Sequence, residues 1–175
     1  MLDVSISYNR YKFLGHEFLT WLWHRMEKEP ERIAGPEKEP ATLEIGNRIV
    51  VENHQGDDAV ETVTIKGDDA GLEEGILSLK KGGMVTEINL IYRSMENEWR
   101  FSLKGESLNL SSLKTPETAA AESENDLEGV ILEKVYLYDK ALALIAHLFK
   151  EFIELRVSDD WFERGVEPIR RWIST

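Results

Sequence analysis

The sequence contains no cysteine, which excludes disulfides, zinc–thiolate sites, iron–sulfur clusters and a cysteine nucleophile. It also contains no apolar run near the ~18–20 residues that a membrane-spanning helix needs, and no hydrophobic leader opens it. A chain without disulfides is compatible with a reducing compartment. Together these absences predict a soluble protein of the cytoplasm with no membrane partner.

Recognisable catalytic motifs are absent as well. The sequence has no G-x-S-x-G, no P-loop and no G-x-G-x-x-G. His16-Glu17 resembles the start of a zinc-binding helix, but position 20 is Thr20, and His24 lies about two turns from His16, too far along the axis for one metal ion. Adjacent acids such as Asp159-Asp160 are explained by the helix dipole. We therefore expect no catalytic site, metal or cofactor, and predict that the chain is not an enzyme.

The charge is strongly acidic and unevenly distributed. The formal net charge is −12 at pH 7. Residues 29–82 carry 13 acidic and 6 basic side chains, and residues 117–128 carry 5 acidic and no basic side chains. An acidic protein is repelled by a phosphate backbone unless its basic groups are gathered locally. A nucleic-acid surface is therefore to be sought outside these two segments.

Apolar spacing predicts helices near the two ends of the chain and one between them. A helix over Leu14–Lys28 is stopped by Pro30. Residues 68–83 form a second helix, ended by Gly82-Gly83. A last helix begins near Ser158 and carries a kink at Pro168.

Alternating patterns predict the strands. Residues 42–45 and 48–52 are two strands joined by a tight turn at Gly46-Asn47. Further strands are expected over the ranges 2–8, 59–66, 84–93 and 98–104, the last two forming a hairpin. The fold class is therefore α+β, with antiparallel β-hairpins packed with helices and a helical C-terminus. With 42% hydrophobic residues, we expect one domain over residues 1–175.

Two segments near the C-terminus are ambiguous or irregular in pattern. Residues 114–128 are polar and acidic, which predicts a flexible acidic loop within the domain. From Ile131 to Phe152 the apolar residues recur at alternating four- and three-residue steps, which is typical of one long helix. The alternative, slightly favoured by the β-branched residues, is a strand over 130–137 followed by a helix capped by Asp139.

The hairpin over residues 84–104 presents the best candidate for a binding surface. Arg93, Arg100 and Lys104 are expected to project together, opposite the apolar Trp99 and Phe101. The candidate nucleic-acid-binding residues are Lys66, Lys80, Lys81, Arg93, Arg100 and Lys104. The candidate residues of a protein interface, as an exposed apolar patch, are Trp21, Trp23 and Trp172.

The string FLGHEFLTWLW at residues 13–23 resembles a signature of the bacterial recombination-associated RdgC family. Residue 16 is His, where similar proteins carry Arg, so one cation is lost. The resemblance extends at lower density over most of the chain, through residues 65–67, 99–104, 152–161 and 168–172. It corresponds to the C-terminal part of the longer family members.

Members of that family are non-catalytic DNA-binding proteins that form dimeric rings and modulate recombination. The resemblance implies sequence-non-specific association with double-stranded DNA, and a nucleoid location. The alternative function is a protein–protein or dimerisation module, whose partner is a second copy or a separate protein equivalent to the N-terminal half of longer members.

Overall fold

A computed structural model gives the fold. It describes residues 13–30, 33, 35, 41–55, 59–65 and 69–175. The predicted strand over residues 2–8 lies outside this part of the chain. The strands are β1 Ala41–Gln55, β2 Ala59–Ile65, β3 Met84–Ser94, β4 Asn97–Lys104 and β5 Leu110–Lys114. The α-helices are α1 Phe13–Lys28, α2 Asp69–Lys80, α3 Glu124–Arg156 and α4 Glu167–Ser174.

The five strands form one antiparallel sheet in the order β2-β1-β3-β4-β5. The α-helices pack on one of its faces, so the predicted α+β class is confirmed. The hairpin of β3 and β4 is also confirmed, with Tyr92 opposite Trp99 and Leu90 opposite Phe101. Its two-residue turn places Met95 at a φ of 54°.

The predicted tight turn at Gly46-Asn47 is wrong, because both residues lie inside the single strand β1. The register against β3 shifts between Ile45 and Ile49, where β1 carries extra residues and bulges. The side chain of Asn89 fills this bulge and accepts a hydrogen bond from the Asn47 amide at 3.2 Å. A Cβ at position 46 would lie 2.0 Å from the Asn89 Oδ1, so a larger residue there would displace the Asn89 side chain from the bulge.

Helix α1 lies against the sheet and supplies much of the core. Phe18, Leu19, Leu22 and Trp23 are each 0% exposed. The helix also makes a very close approach to the loop after β4, at Gly15. A Cβ on Gly15 would lie 1.7 Å from the Gly105 carbonyl oxygen. The glycine in the FLG part of the string is therefore required by packing.

Helix α2 ends as the sequence predicts. Gly82 has a φ of 89°, in the left-handed region, and the Gly83 amide donates to the Ser78 carbonyl at 3.0 Å. This is the hydrogen-bond pattern of a glycine-terminated helix. The chain then enters β3 directly.

The preferred interpretation of residues 130–137 as a strand is wrong, because they lie within the 33-residue helix α3. Regular apolar spacing outweighs the β-branched residues there. The helix begins at Glu124, so the predicted flexible loop is shorter than residues 114–128 at its C-terminal end. Ser123 occupies the N-cap position without a side-chain bond to the helix backbone, and its hydroxyl donates instead to the Asp126 carboxylate at 2.7 Å. Asp139 lies within the helix and does not cap one.

The C-terminal segment begins with a π-helical turn over Trp161–Val166 and continues as α4. Pro168 lies in the first turn of α4, where a proline costs no hydrogen bond. The structure therefore has no kink at Pro168, because the proline lies at the start of α4. The irregular backbone is the π-helical turn that precedes it.

Candidate functional site

The face of the sheet opposite the helices is the first candidate surface, and we call it the open face. Side chains alternate between the two faces of each strand. On β4, Trp99 and Phe101 point into the core, while Arg100 and Lys104 are exposed on the other face. The open face is predominantly polar.

The predicted cations Arg93, Arg100 and Lys104 share this open face. Arg93 is held by two carboxylates, Glu44 and Glu98, each at 2.7 Å. The same Glu98 accepts from Arg100 at 2.6 Å. These hydrogen bonds, chiefly from Arg100, hold the pKa of Glu98 below its ordinary value. Two arginines and two glutamates thus form a balanced network, which leaves less positive potential than the sequence suggests.

A shallow concavity of about 810 Å³ lies beside this network on the open face. Arg48 and Lys114 line it together with Arg100. Arg48 and Lys114 were not among the residues predicted from the sequence. Arg100 and Lys114 are partners in the register of β4 and β5. Arg48 is held at 3.3 Å from Glu87. The alternating pattern could not reveal this grouping, because β5 is short and the bulge in β1 displaces Arg48.

The remaining predicted cations do not join this surface. Lys80 and Lys81 are exposed at the end of α2, which packs on the covered side of the sheet. The predicted single basic surface is therefore split between two layers of the molecule. Lys66 lies outside the described residues.

The expectation of an exposed apolar patch at Trp21, Trp23 and Trp172 is wrong, because they are only 7%, 0% and 5% exposed. Trp23 and Trp172 meet edge to face at 5.2 Å between ring centroids. Both indole N–H groups donate to the carboxylate of Glu27, at 2.6 and 2.8 Å. These indoles join α1 to α4 within the core.

The histidines and the glutamate of α1 that were considered as metal ligands, His16, Glu17 and His24, point in different directions. The Nδ1–H of His16 donates to the Val85 carbonyl at 3.0 Å, and Glu17 pairs with Arg156 at 2.8 Å. His24 packs against Trp172, and burial lowers its pKa from 6.5. Among the described residues, no three His, Asp or Glu side chains are placed to hold a metal ion.

A cleft of about 1090 Å³ lies between the C-terminal ends of α1 and α3. His24, Arg25 and Glu151 line it, and Arg25 pairs with Glu151 at 2.6 Å. The cleft is wide and mixed in charge, and Arg25 and Glu151 neutralise one another within it. The geometry assigns no chemistry to it.

The second candidate surface is the N-terminal half of α3, residues 124–142, which we call the arm. Its first turns extend away from the body of the protein, and a Cβ added at Gly129 would meet no atom within 4 Å. Seven of its apolar side chains are about half exposed: Leu127, Ile131, Leu132, Val135, Tyr136, Tyr138 and Leu142. Leu137 and Ala141, in contrast, are only 7% and 0% exposed, so the last turns of the arm pack on the body. Such a row of exposed apolar side chains marks an interaction surface.

The exposed row continues a seam that is buried further along α3. Ile145 and Phe152 are 4% and 0% exposed, and Phe149 meets Phe18 of α1 edge to face at 5.2 Å. The four- and three-residue steps run unbroken through both halves, as in a coiled-coil seam. Helix α1 covers the second half, whereas Leu127, Ile131 and Val135 of the first half stay about half exposed in the part of the chain that the structure describes.

A groove of about 540 Å³ lies where the arm joins the body. Tyr138 and Leu142 form its helical wall, and Leu110 and Leu113 of β5 form the other. Lys104 stands at its edge. The arm therefore combines a projecting apolar end with an apolar groove at its base.

Comparison of the chain with protein-family models, with curated proteins and with solved structures finds no match. The resemblance to the RdgC family therefore rests on the quoted residues alone. Within the part of the chain that the structure describes, no helix is both long and apolar enough to cross a membrane.

Proposed function

We propose that the chain is a non-catalytic protein-interaction module that docks through the arm. The observation that carries the proposal is the row of half-exposed apolar side chains on α3. A helix that lays an apolar face into a partner groove is a recurrent mode of recognition. Exposed apolar surface of this extent favours burial by about 25 cal/mol per Å².

Site-specific photo-crosslinking tests the proposal. A photoreactive amino acid is placed at Ile131 or Val135 of the full chain in living cells, and adducts are identified by mass spectrometry. The matched control is position 150, because Lys150 lies on the same helix and is 74% exposed. We expect one reproducible protein adduct at positions 131 and 135 and none at 150. Equal or absent labelling at all three positions would refute the module.

The second candidate function is association with double-stranded DNA, as the RdgC resemblance implies. The observation that favours it is the grouping of Arg48, Arg100, Lys104 and Lys114 on the open face of a chain whose charge is −12. Cations gathered in this way bind phosphates without reading sequence. Because the Arg93 network is balanced, we expect binding to be weak.

Fluorescence anisotropy with a labelled duplex tests this candidate. Contact with three phosphates gives a slope of about −3 in log K against log salt. The variant Arg100→Glu with Lys104→Glu is compared with Lys80→Glu with Lys81→Glu, which makes the same charge change away from the open face. We expect only the first to abolish binding. No binding by the wild-type chain at low salt, or equal loss in both variants, contradicts the candidate.

A further inference from the structure

We propose that the partner of the arm is a second copy of this chain, with the two arms packed antiparallel. This inference rests on the proposed function and names its partner. The projecting end of one arm, near Leu127, would fill the groove at the base of the other. Each chain offers both halves of the contact, as a two-fold symmetric interface requires.

The spacing of the seam is self-complementary in the antiparallel direction. A two-fold axis beside Val135 places Leu127 opposite Leu142 of the second copy. The same axis places Ile131 opposite Tyr138. Every apolar position of the seam then meets another one, and Val135 lies near its own counterpart.

The position of the body on α3 favours the antiparallel direction over the parallel one. From Ile145 onwards the seam is already covered by α1, through Phe18 and its neighbours. Parallel arms would bring both bodies to the same end and both copies of α1 against one another. Antiparallel arms overlap over residues 127–142, on the N-terminal side of the part of α3 that α1 covers, and the two bodies then lie at opposite ends of the pair.

Charge also favours this direction. The N-terminal end of the arm is acidic, and residues 117–128 carry no basic side chain. Parallel arms would place these two acidic segments side by side. Antiparallel arms place Asp126 and Glu128 at the far groove, where Lys104 stands. The acidic end of each arm then meets a lysine of the other copy.

The area is sufficient for a reversible dimer. Five half-exposed seam residues and the groove walls offer on the order of 500 Å² per copy, or ~1,000 Å² for the pair, which lies at the lower limit of specific interfaces. We therefore expect a dimer that dissociates on dilution.

Sedimentation equilibrium of the full chain, up to ~200 µM, tests the inference. We expect a monomer–dimer equilibrium for the wild type. Ile131→Glu should weaken dimerisation at least tenfold, with unchanged circular dichroism because Ile131 is half exposed. Lys104→Glu and Glu128→Lys should each weaken it, and the double variant should restore it. A wild type that is monomeric throughout overturns the inference, as does a double variant weaker than both single ones.

Because the chain lacks cysteine, single cysteines report the direction of the arms. A mixture of Leu127→Cys and Leu142→Cys proteins should give a disulfide-linked heterodimer under mild oxidation, and Lys150→Cys should give none. A linked dimer from Leu127→Cys alone would show parallel arms and overturn the proposed pairing. A monomeric chain whose position 131 photo-crosslinks to a different protein would retain the proposed function and refute the second copy.

Discussion

Substituting Gly15 by alanine tests whether packing requires the glycine of the FLG string. The added Cβ would lie 1.7 Å from the Gly105 carbonyl oxygen, about half of a normal contact distance. Helix α1 must then move away from the loop after β4. Overpacking of this kind costs about 1–3 kcal/mol, partly offset by up to ~1 kcal/mol from the better helix propensity of alanine.

Urea unfolding followed by tryptophan fluorescence measures this effect. We expect Gly15→Ala to lower the unfolding free energy by about 1–2 kcal/mol net, and the melting temperature by several degrees. Gly129→Ala is the matched control, because its Cβ meets open space in the arm. It should leave the unfolding free energy unchanged or raise it by up to ~1 kcal/mol. Equal urea midpoints for Gly15→Ala and the wild type would refute the packing argument.

Two further substitutions test groups in the core around α1. Glu27→Gln should lower the free energy of unfolding in urea by about 1–3 kcal/mol, because the glutamine N–H₂ group would face an indole N–H donor. An unchanged free energy of unfolding would show that the two indole hydrogen bonds do not stabilise the fold. Burial and Lys28 lower the pKa of His24 from 6.5, so the unfolded chain takes up the proton first as the pH falls below about 6.5. The wild type should therefore lose stability relative to His24→Gln as the pH falls below 6.5, and parallel stability curves would contradict this.

The strands that the sequence predicts correctly are those with one covered face. In β3 and β4, alternation places Trp99 in the core and Arg100 on the open face, so both the strands and their cations could be predicted. In β1, Gly46-Asn47 has the composition of a hairpin turn but continues as a bulged strand. The deciding group is Asn89, which is 42 residues away, and local patterning cannot include it.

Helix α3 shows a different limit of local propensity. Residues 130–137 are rich in β-branched side chains, which favour a strand, yet the four- and three-residue spacing continues across them. The stronger signal was at the start of the helix. Ser123 and Asp126 have the serine-x-x-acid spacing that is typical of a helix start, and this spacing places the start within the predicted loop.

The residues of the candidate site could be predicted only where one hairpin carries them. Arg93, Arg100 and Lys104 lie on one hairpin, so their shared face follows from strand geometry. The neutralising carboxylate of Glu44 comes from β1 and contacts Arg93 only through the register of β1 against β3. Charge patterning along one hairpin therefore overstates the basic character of a surface that neighbouring strands complete.

The exposed half of α3 links the stability of the arm to its docking. A helix shorter than about 12–15 residues is marginal in water without tertiary support, and Gly129 lowers helix propensity further, by ~1 kcal/mol relative to alanine. The arm is helical because it continues the buried turns around Phe152, yet Leu127, Ile131 and Val135 remain about half exposed and gain little from burial. Burial against a second arm would supply the missing support to both copies at once. Dimerisation and the helicity of the arm should consequently change together. A variant that weakens dimerisation should increase amide hydrogen exchange in the arm.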